Sequence, residues 1–175
     1  MPRPSTGWYG RGGGGMSRRV ARYALLTALA MVLSWLESAI PLSAAAPGMK
    51  LGLPNLAVIF ALYRLGLREA ASVSLARVIL VSATFGNAYS LAYSLAGAAL
   101  SLAVMAALKR TGRFSILGVS IAGGAAHNLG QILVAIAVLG TARLAWYLPT
   151  LLVSGTAAGA AIGAAGGLLT ERVRL

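Results

Sequence analysis

Residues 24 to 40, "ALLTALAMVLSWLESAI", follow the basic flank "MSRRVARY" and stop at Pro41. With its flanks this stretch reaches the roughly 20 apolar residues that a helix needs to cross a bilayer, and it outruns the roughly 7–15-residue apolar core of a cleavable signal peptide. Five more apolar segments follow, at about Pro54 to Leu65, Ala70 to Phe85, Tyr89 to Leu108, Ile116 to Leu139 and Tyr147 to Leu169. In lipid every backbone N–H and C=O has to be satisfied within the segment or by a closed sheet. The expected fold class is therefore an all-α membrane protein, a bundle of six transmembrane helices in one domain over residues 18–175. Hydrophobic residues make up 58% of the chain and charged ones 10%, far from the balance of an ordinary soluble domain.

The second segment is the weak member of the six. A dozen or so residues span only about 18–20 Å, so a re-entrant piece is the alternative to a full crossing. Charge placement favours the crossing. With the amino terminus inside, the inner flanks receive Arg18, Arg19, Arg22, Arg64, Arg68, Lys109, Arg110, Arg113, Arg172 and Arg174, while the outer loops receive Lys50 and Arg143. Both termini are then cytoplasmic, and the expected location is the cytoplasmic membrane of a prokaryote. Residues 1–17, which open with "MPRPSTGWYGRGGGG", read as a flexible leader too poor in apolar surface to order itself, with Met16 as an alternative start.

The same composition closes off several functions. The net charge of +12 is distributed between apolar runs, with no basic stripe interleaved with stacking aromatics, so nucleic acid is not the expected partner. There is no cysteine, no aspartate and a single histidine, and the three carboxylates are Glu37, Glu69 and Glu171. No metal site, cofactor or catalytic residue is expected from that inventory, and the chain reads as a non-enzyme. No phosphate-binding G-x-x-x-x-G-K-[ST] loop occurs either, so any ATP-driven step belongs to another chain.

Polar groups at membrane depth are the informative positions, because a charge in the bilayer core costs at least a few kcal/mol and normally faces the bundle interior. Glu37, four residues before Pro41, and Arg77, midway through the third segment, are the two charges so placed. They read either as ligand-binding groups or as a structural ion pair. In "GGAAHNLGQ", residues 123 to 131, His127, Asn128 and Gln131 fall on one side of a helix and form a polar stripe flanked by Gly123, Gly124 and Gly130. The stripe either lines a cavity or holds a neighbouring helix, and a proton relay between His127 and Glu37 has no spacing to support it. The outer loop "PGMKLGLPN", residues 47 to 55, brings Lys50 and Asn55 to the outer face, as a lid or as a plain connector. The candidate substrate-binding set is thus Glu37, Lys50, Asn55, Arg77, His127, Asn128 and Gln131. Lys50 outside and Arg77 within the membrane would suit an acidic solute, with Glu37 available for an amine. Small residues repeat at four-residue spacing in the first segment, as Ala24 with Ala28 and Ala30 with Ser34, and a Gly/Ala face runs through "SGTAAGAAIGAAGG" in the last. Such faces let helices approach closely in lipid.

"LESAIP", "PGMKLGLPNL" and "AHNLGQ" together resemble the family of small membrane proteins called Gx transporter proteins, often labelled heptaprenyl diphosphate synthase component I. The resemblance runs from about Arg18 to the carboxyl terminus. It implies likeness to the substrate-binding S components of energy-coupling factor transporters, six-helix bundles that bind a small solute near the outer face. In those proteins an alanine-xxx-alanine face on the first helix docks on a transmembrane coupling subunit driven by ATPases, and Ala24 and Ala28 match that face. The synthase label sits poorly with the residues. Prenyl diphosphate synthases hold Mg²⁺ with aspartate-rich motifs, since a hard cation wants carboxylate oxygens, and this chain contains no aspartate. A non-catalytic subunit or scaffold in isoprenoid or quinone synthesis is the alternative expectation to a solute carrier.

Overall fold

The computed structural model describes residues 14–40 and 51–173. Six α-helices account for nearly all of them: α1 (Gly14–Ser38), α2 (Asn55–Arg64), α3 (Leu67–Phe85), α4 (Ala88–Thr111), α5 (Ile116–Leu139) and α6 (Leu148–Arg172), with a 3₁₀ turn at Ala142–Tyr147 before α6. No strand occurs among the described residues. Helix α1 takes in residues 14–17, which the sequence had assigned to the leader; the rest of that leader, Lys50 and Arg174 lie outside the described residues.

Four helices are long and apolar enough to cross a membrane: α1, α4, α5, and α6 with its preceding 3₁₀ turn. Helix α3 has 19 residues, but Arg68, Glu69 and Arg77 interrupt its apolar run. Helix α2 has only 10, about 15 Å of rise, and its character explains the shortness. Ala57 through Leu62 are buried without a break, and Ile59 and Leu62 are each 1% exposed. A helix that is apolar on every side is one that its neighbours surround. Helix α2 touches α1, α3 and α6, and further contacts run α1 to α3, α3 to α4, α4 to α5 and α5 to α6. The helices α2, α3, α4, α5 and α6 therefore close a ring, with α1 laid against α2 and α3.

Local chemistry sets the ends of these elements. Helix α4 opens with a reciprocal capping box, in which the Asn87 side chain accepts from the Ser90 N–H at 2.9 Å and Ser90 Oγ accepts from the Asn87 N–H at 2.8 Å. It closes at Gly112, whose φ of 67° is the left-handed conformation that an L side chain resists. At the same end Lys109 Nζ donates to the Leu62 carbonyl at 2.5 Å and lies 4.9 Å from the centre of the Tyr63 ring. Arg64 Nη2 donates to the Val173 carbonyl at 2.8 Å, and Tyr23 donates to Glu69 Oε1 at 3.3 Å. The carboxyl ends of α2, α4 and α6 and the amino end of α3 thus gather at one pole with Arg64, Arg68, Lys109, Arg110 and Arg172. Large apolar side chains on the outside of the bundle, among them Leu25, Val32, Leu75, Ile79, Leu133 and Val153, stay exposed, as lipid-facing residues do.

Helices α5 and α6 meet through glycine. A Cβ built on Gly124 would fall on the Gly155 carbonyl oxygen, and one on Gly159 would lie 2.6 Å from the Ser120 carbonyl oxygen. This contact is what the Gly/Ala face of the last segment serves. The two small-residue pairs of α1 point different ways. Ala30 and Ser34 are buried at 0% and 9% exposure, whereas Ala24 and Ala28 are exposed and cover nothing within the bundle.

Candidate functional site

The ring of helices encloses a cavity of about 300 Å³ to which all six helices and the Leu51–Pro54 segment contribute. That volume sits at the lower end of the roughly 300–1,000 Å³ usual for pockets that hold small organic ligands. Its rim, formed by Ser38, Ile40, Gly52, Asn55, Gly86 and Ser90, lies at helix ends opposite the basic pole. Its floor reaches Ser101 and Ile162, near the middle of α4 and α6, and Met105 and Ser120, which lie nearer the basic pole.

Five of the seven residues expected to bind a substrate line this cavity: Glu37, Asn55, Arg77, His127 and Asn128. Glu37 arrives on the last turn of α1, where its Oε1 accepts the Gly52 N–H at 2.6 Å and ties the segment before α2 to the rim. Asn55 opens α2 beside it. Arg77 comes from the middle of α3. Its Nε and Nη2 are buried without a hydrogen-bond partner, and Glu37 is near enough to act on it electrostatically. The Glu37–Arg77 pair is therefore a relationship through space, with no bond at those two nitrogens. Lys50 lies outside the described residues.

The polar stripe of α5 divides. Asn128, 6% exposed, lines the cavity and also donates from Nδ2 to the Leu151 carbonyl of α6 at 2.5 Å. His127 lines the cavity while its ring edge faces α4, where a Cβ on Gly97 would come within 3.1 Å of Cε1. Gln131 is not at the cavity. Its Cγ would lie 2.8 Å from the same Cβ, so it packs in the α4–α5 interface. The sequence expectation of one shared face fails there because consecutive helical residues are about 100° apart and Asn128 turns toward α6 while His127 and Gln131 turn toward α4.

Serine is what the sequence reading missed. Ser34, Ser38, Ser82, Ser90, Ser94, Ser101 and Ser120 all line the cavity. Spacing held a signal for three of them, since positions 90, 94 and 101 recur on one face of a helix. Their chemistry differs by depth. Ser34 and Ser38, nearer the rim, turn back to the Ala30 and Trp35 carbonyls at 2.8 and 2.7 Å, the usual way a helix absorbs a hydroxyl. Ser94, Ser101 and Ser120 make no such bond among the described residues, although Ser101 is 4% and Ser120 5% exposed. The deep cavity therefore combines unused hydroxyls and one guanidinium with an apolar wall of Ile59, Val78, Met105 and Ile162. Among the described residues no group of three His, Cys, Asp or Glu is placed to hold a metal ion.

Residues 26–169 match the family model described as heptaprenyl diphosphate synthase component I. Neither curated proteins nor solved structures provide a match.

Proposed function

The chain belongs to the heptaprenyl diphosphate synthase component I family, and within it we propose a membrane protein that binds a small solute in its central cavity and passes it across the cytoplasmic membrane. The observation that carries this reading is the cavity itself: a ring of helices surrounds a space lined by Arg77 and by several serines, where a purely structural bundle would have filled it with apolar side chains. In this reading all six helices span, with short α2 buried inside the ring, and both termini face the cytoplasm. The basic pole is the cytoplasmic one and the cavity opens outward, as in the S components of energy-coupling factor transporters. Glu37, Asn55, Arg77, His127 and Asn128 contact the solute. Energy comes from a separate ATPase module through a transmembrane coupling subunit that meets Ala24 and Ala28 on the exposed side of α1. The chain performs no chemistry of its own.

The test is a thermal-shift and native mass-spectrometric screen of the purified protein against a metabolite library. A solute that raises the melting temperature, and that loses its effect in Asn55→Ala and Arg77→Gln, supports the reading; a library with no stabilising solute and a preparation with nothing in the cavity would defeat it. The family's name favours a second reading, a non-catalytic membrane subunit of a prenyl diphosphate synthase. Stable co-purification with a soluble prenyltransferase, together with no solute binding, would select that one.

A further inference from the structure

Arg77 sits about 12 Å from the outer end of α3, eight residues before Phe85, and a charge at that depth needs a counter-charge. The chain has few to offer. It contains no aspartate, Glu171 lies exposed in the last turn of α6, and Glu69 accepts from Tyr23 at the basic pole. Glu37 is the carboxylate that remains, and its Oε1 is occupied by the Gly52 N–H.

The two nitrogens of Arg77 that lack a partner are Nε and Nη2. These form one edge of the guanidinium, whose N–H bonds run parallel and match the two oxygens of a carboxylate. Both are covered in this conformation while the residue lines the cavity, so meeting an anion requires the head to turn inward, a motion that breaks no hydrogen bond at either atom. The hydroxyls of Ser101 and Ser120 supply further donors in the same space, and a carboxylate is an acceptor-only group. Ile59, Val78, Met105 and Ile162 leave the rest of the cavity apolar.

Resting on the solute-binding reading above, we infer that the solute is a small monocarboxylate with an apolar body, held by the Nε and Nη2 edge of Arg77 and the hydroxyls of Ser101 and Ser120. Glu37 also lines the cavity, but on the last turn of α1 at the rim with its Oε1 on the Gly52 N–H, so at depth the Arg77 edge and the neutral hydroxyls are left to meet one negative charge. A diphosphate carries more charge than this lining answers and calls for a divalent cation with carboxylate ligands, while a cavity of about 300 Å³ is far too small for a heptaprenyl chain.

The full chain in detergent or nanodiscs, melted with benzoate, benzamide or phenyl phosphate, tests the assignment. Benzoate is expected to raise the melting temperature in a dose-dependent way, benzamide to leave it unchanged, and phenyl phosphate to act less than benzoate. Arg77→Lys, which keeps the charge and loses the paired edge, should weaken the benzoate response on the order of tenfold, and Arg77→Gln should remove it. Should Arg77→Gln not fold, the double change Ser101→Ala with Ser120→Ala must weaken benzoate and leave the unliganded melt intact. Equal effects of benzoate and benzamide, a preference for phenyl phosphate, a response that survives in Arg77→Gln, or silence toward all three probes would overturn the carboxylate assignment. A neutral or cationic solute found by the metabolite screen would do so as well while leaving solute binding standing.

Discussion

Asn128 and Leu151 join α5 to α6 inside the bundle: the Asn128 side-chain amide, 6% exposed, donates to the Leu151 main-chain carbonyl at 2.5 Å, one turn into α6. The same asparagine lines the cavity, so one residue serves both packing and the pocket wall. Replacing it separates the two roles. Asn128→Ala should lower stability in detergent by about 0.6–2 kcal/mol, the range for interhelical hydrogen bonds in membranes. Asn128→Asp should cost more, because it sets a carboxylate against a carbonyl where a donor stood. Thermal or denaturant unfolding measures both, and equal losses for the two variants would contradict the donor assignment.

The close approach of Gly124 to Gly155 makes a sharper prediction about packing. A methyl group on Gly124 meets main-chain atoms of α6, which cannot swing aside as a side chain can. Gly124→Ala should therefore destabilise by about 1–3 kcal/mol, as overpacking does. Gly167→Ala, in α6, meets nothing within 4 Å and should be neutral or stabilising by about 0.5–1 kcal/mol through helix propensity. The pair of melts discriminates contact geometry from a general effect of replacing a helical glycine.

Topology can be read chemically, because the chain has no cysteine of its own. Single cysteines at Trp146, 86% exposed in the 3₁₀ turn, and at Arg110, at the basic pole, lie at opposite ends of the bundle. In intact cells Trp146→Cys should react with a membrane-impermeant maleimide and Arg110→Cys should react only after permeabilisation. Labelling of both from outside would rule out six crossings with cytoplasmic termini.

Ala28 faces outward, so its enlargement should leave the bundle unharmed. Ala28→Trp is expected to change stability by no more than about 0.5 kcal/mol, as for exposed positions without special contacts. The same change should reduce co-purification of a coupling subunit and uptake in cells. A marked loss of stability would place Ala28 in an internal contact instead, and unchanged uptake would remove the docking role.

Much of the architecture was legible in the amino acids. Apolar segment lengths marked the helices, and Arg64, Arg68, Lys109 and Arg110 marked one pole, where Lys109 and Arg64 now bond carbonyls of neighbouring helices. Glu37 and Arg77 stood out because a charge in an apolar run is costly. The serines did not, since a serine in a membrane helix ordinarily satisfies itself on its own backbone, as Ser34 and Ser38 do. Nothing local distinguishes them from Ser101 and Ser120, which do not.

Composition and hydrophobic spacing by themselves determined the class of molecule: helical, suited to a membrane and with one basic end. Those properties are sums or periodicities along the chain, and they survive any particular arrangement of the helices. Only the tertiary structure decided that Gln131 belongs to the α4–α5 interface while Asn128 reaches Leu151, that the short α2 is enclosed, and that Ala24 and Ala28 look outward while Ala30 and Ser34 look in. Periodicity tells which residues share a side of one helix. Which neighbour that side meets depends on helix crossing and order in the ring, and these are set by long-range contacts such as Gly124 against Gly155.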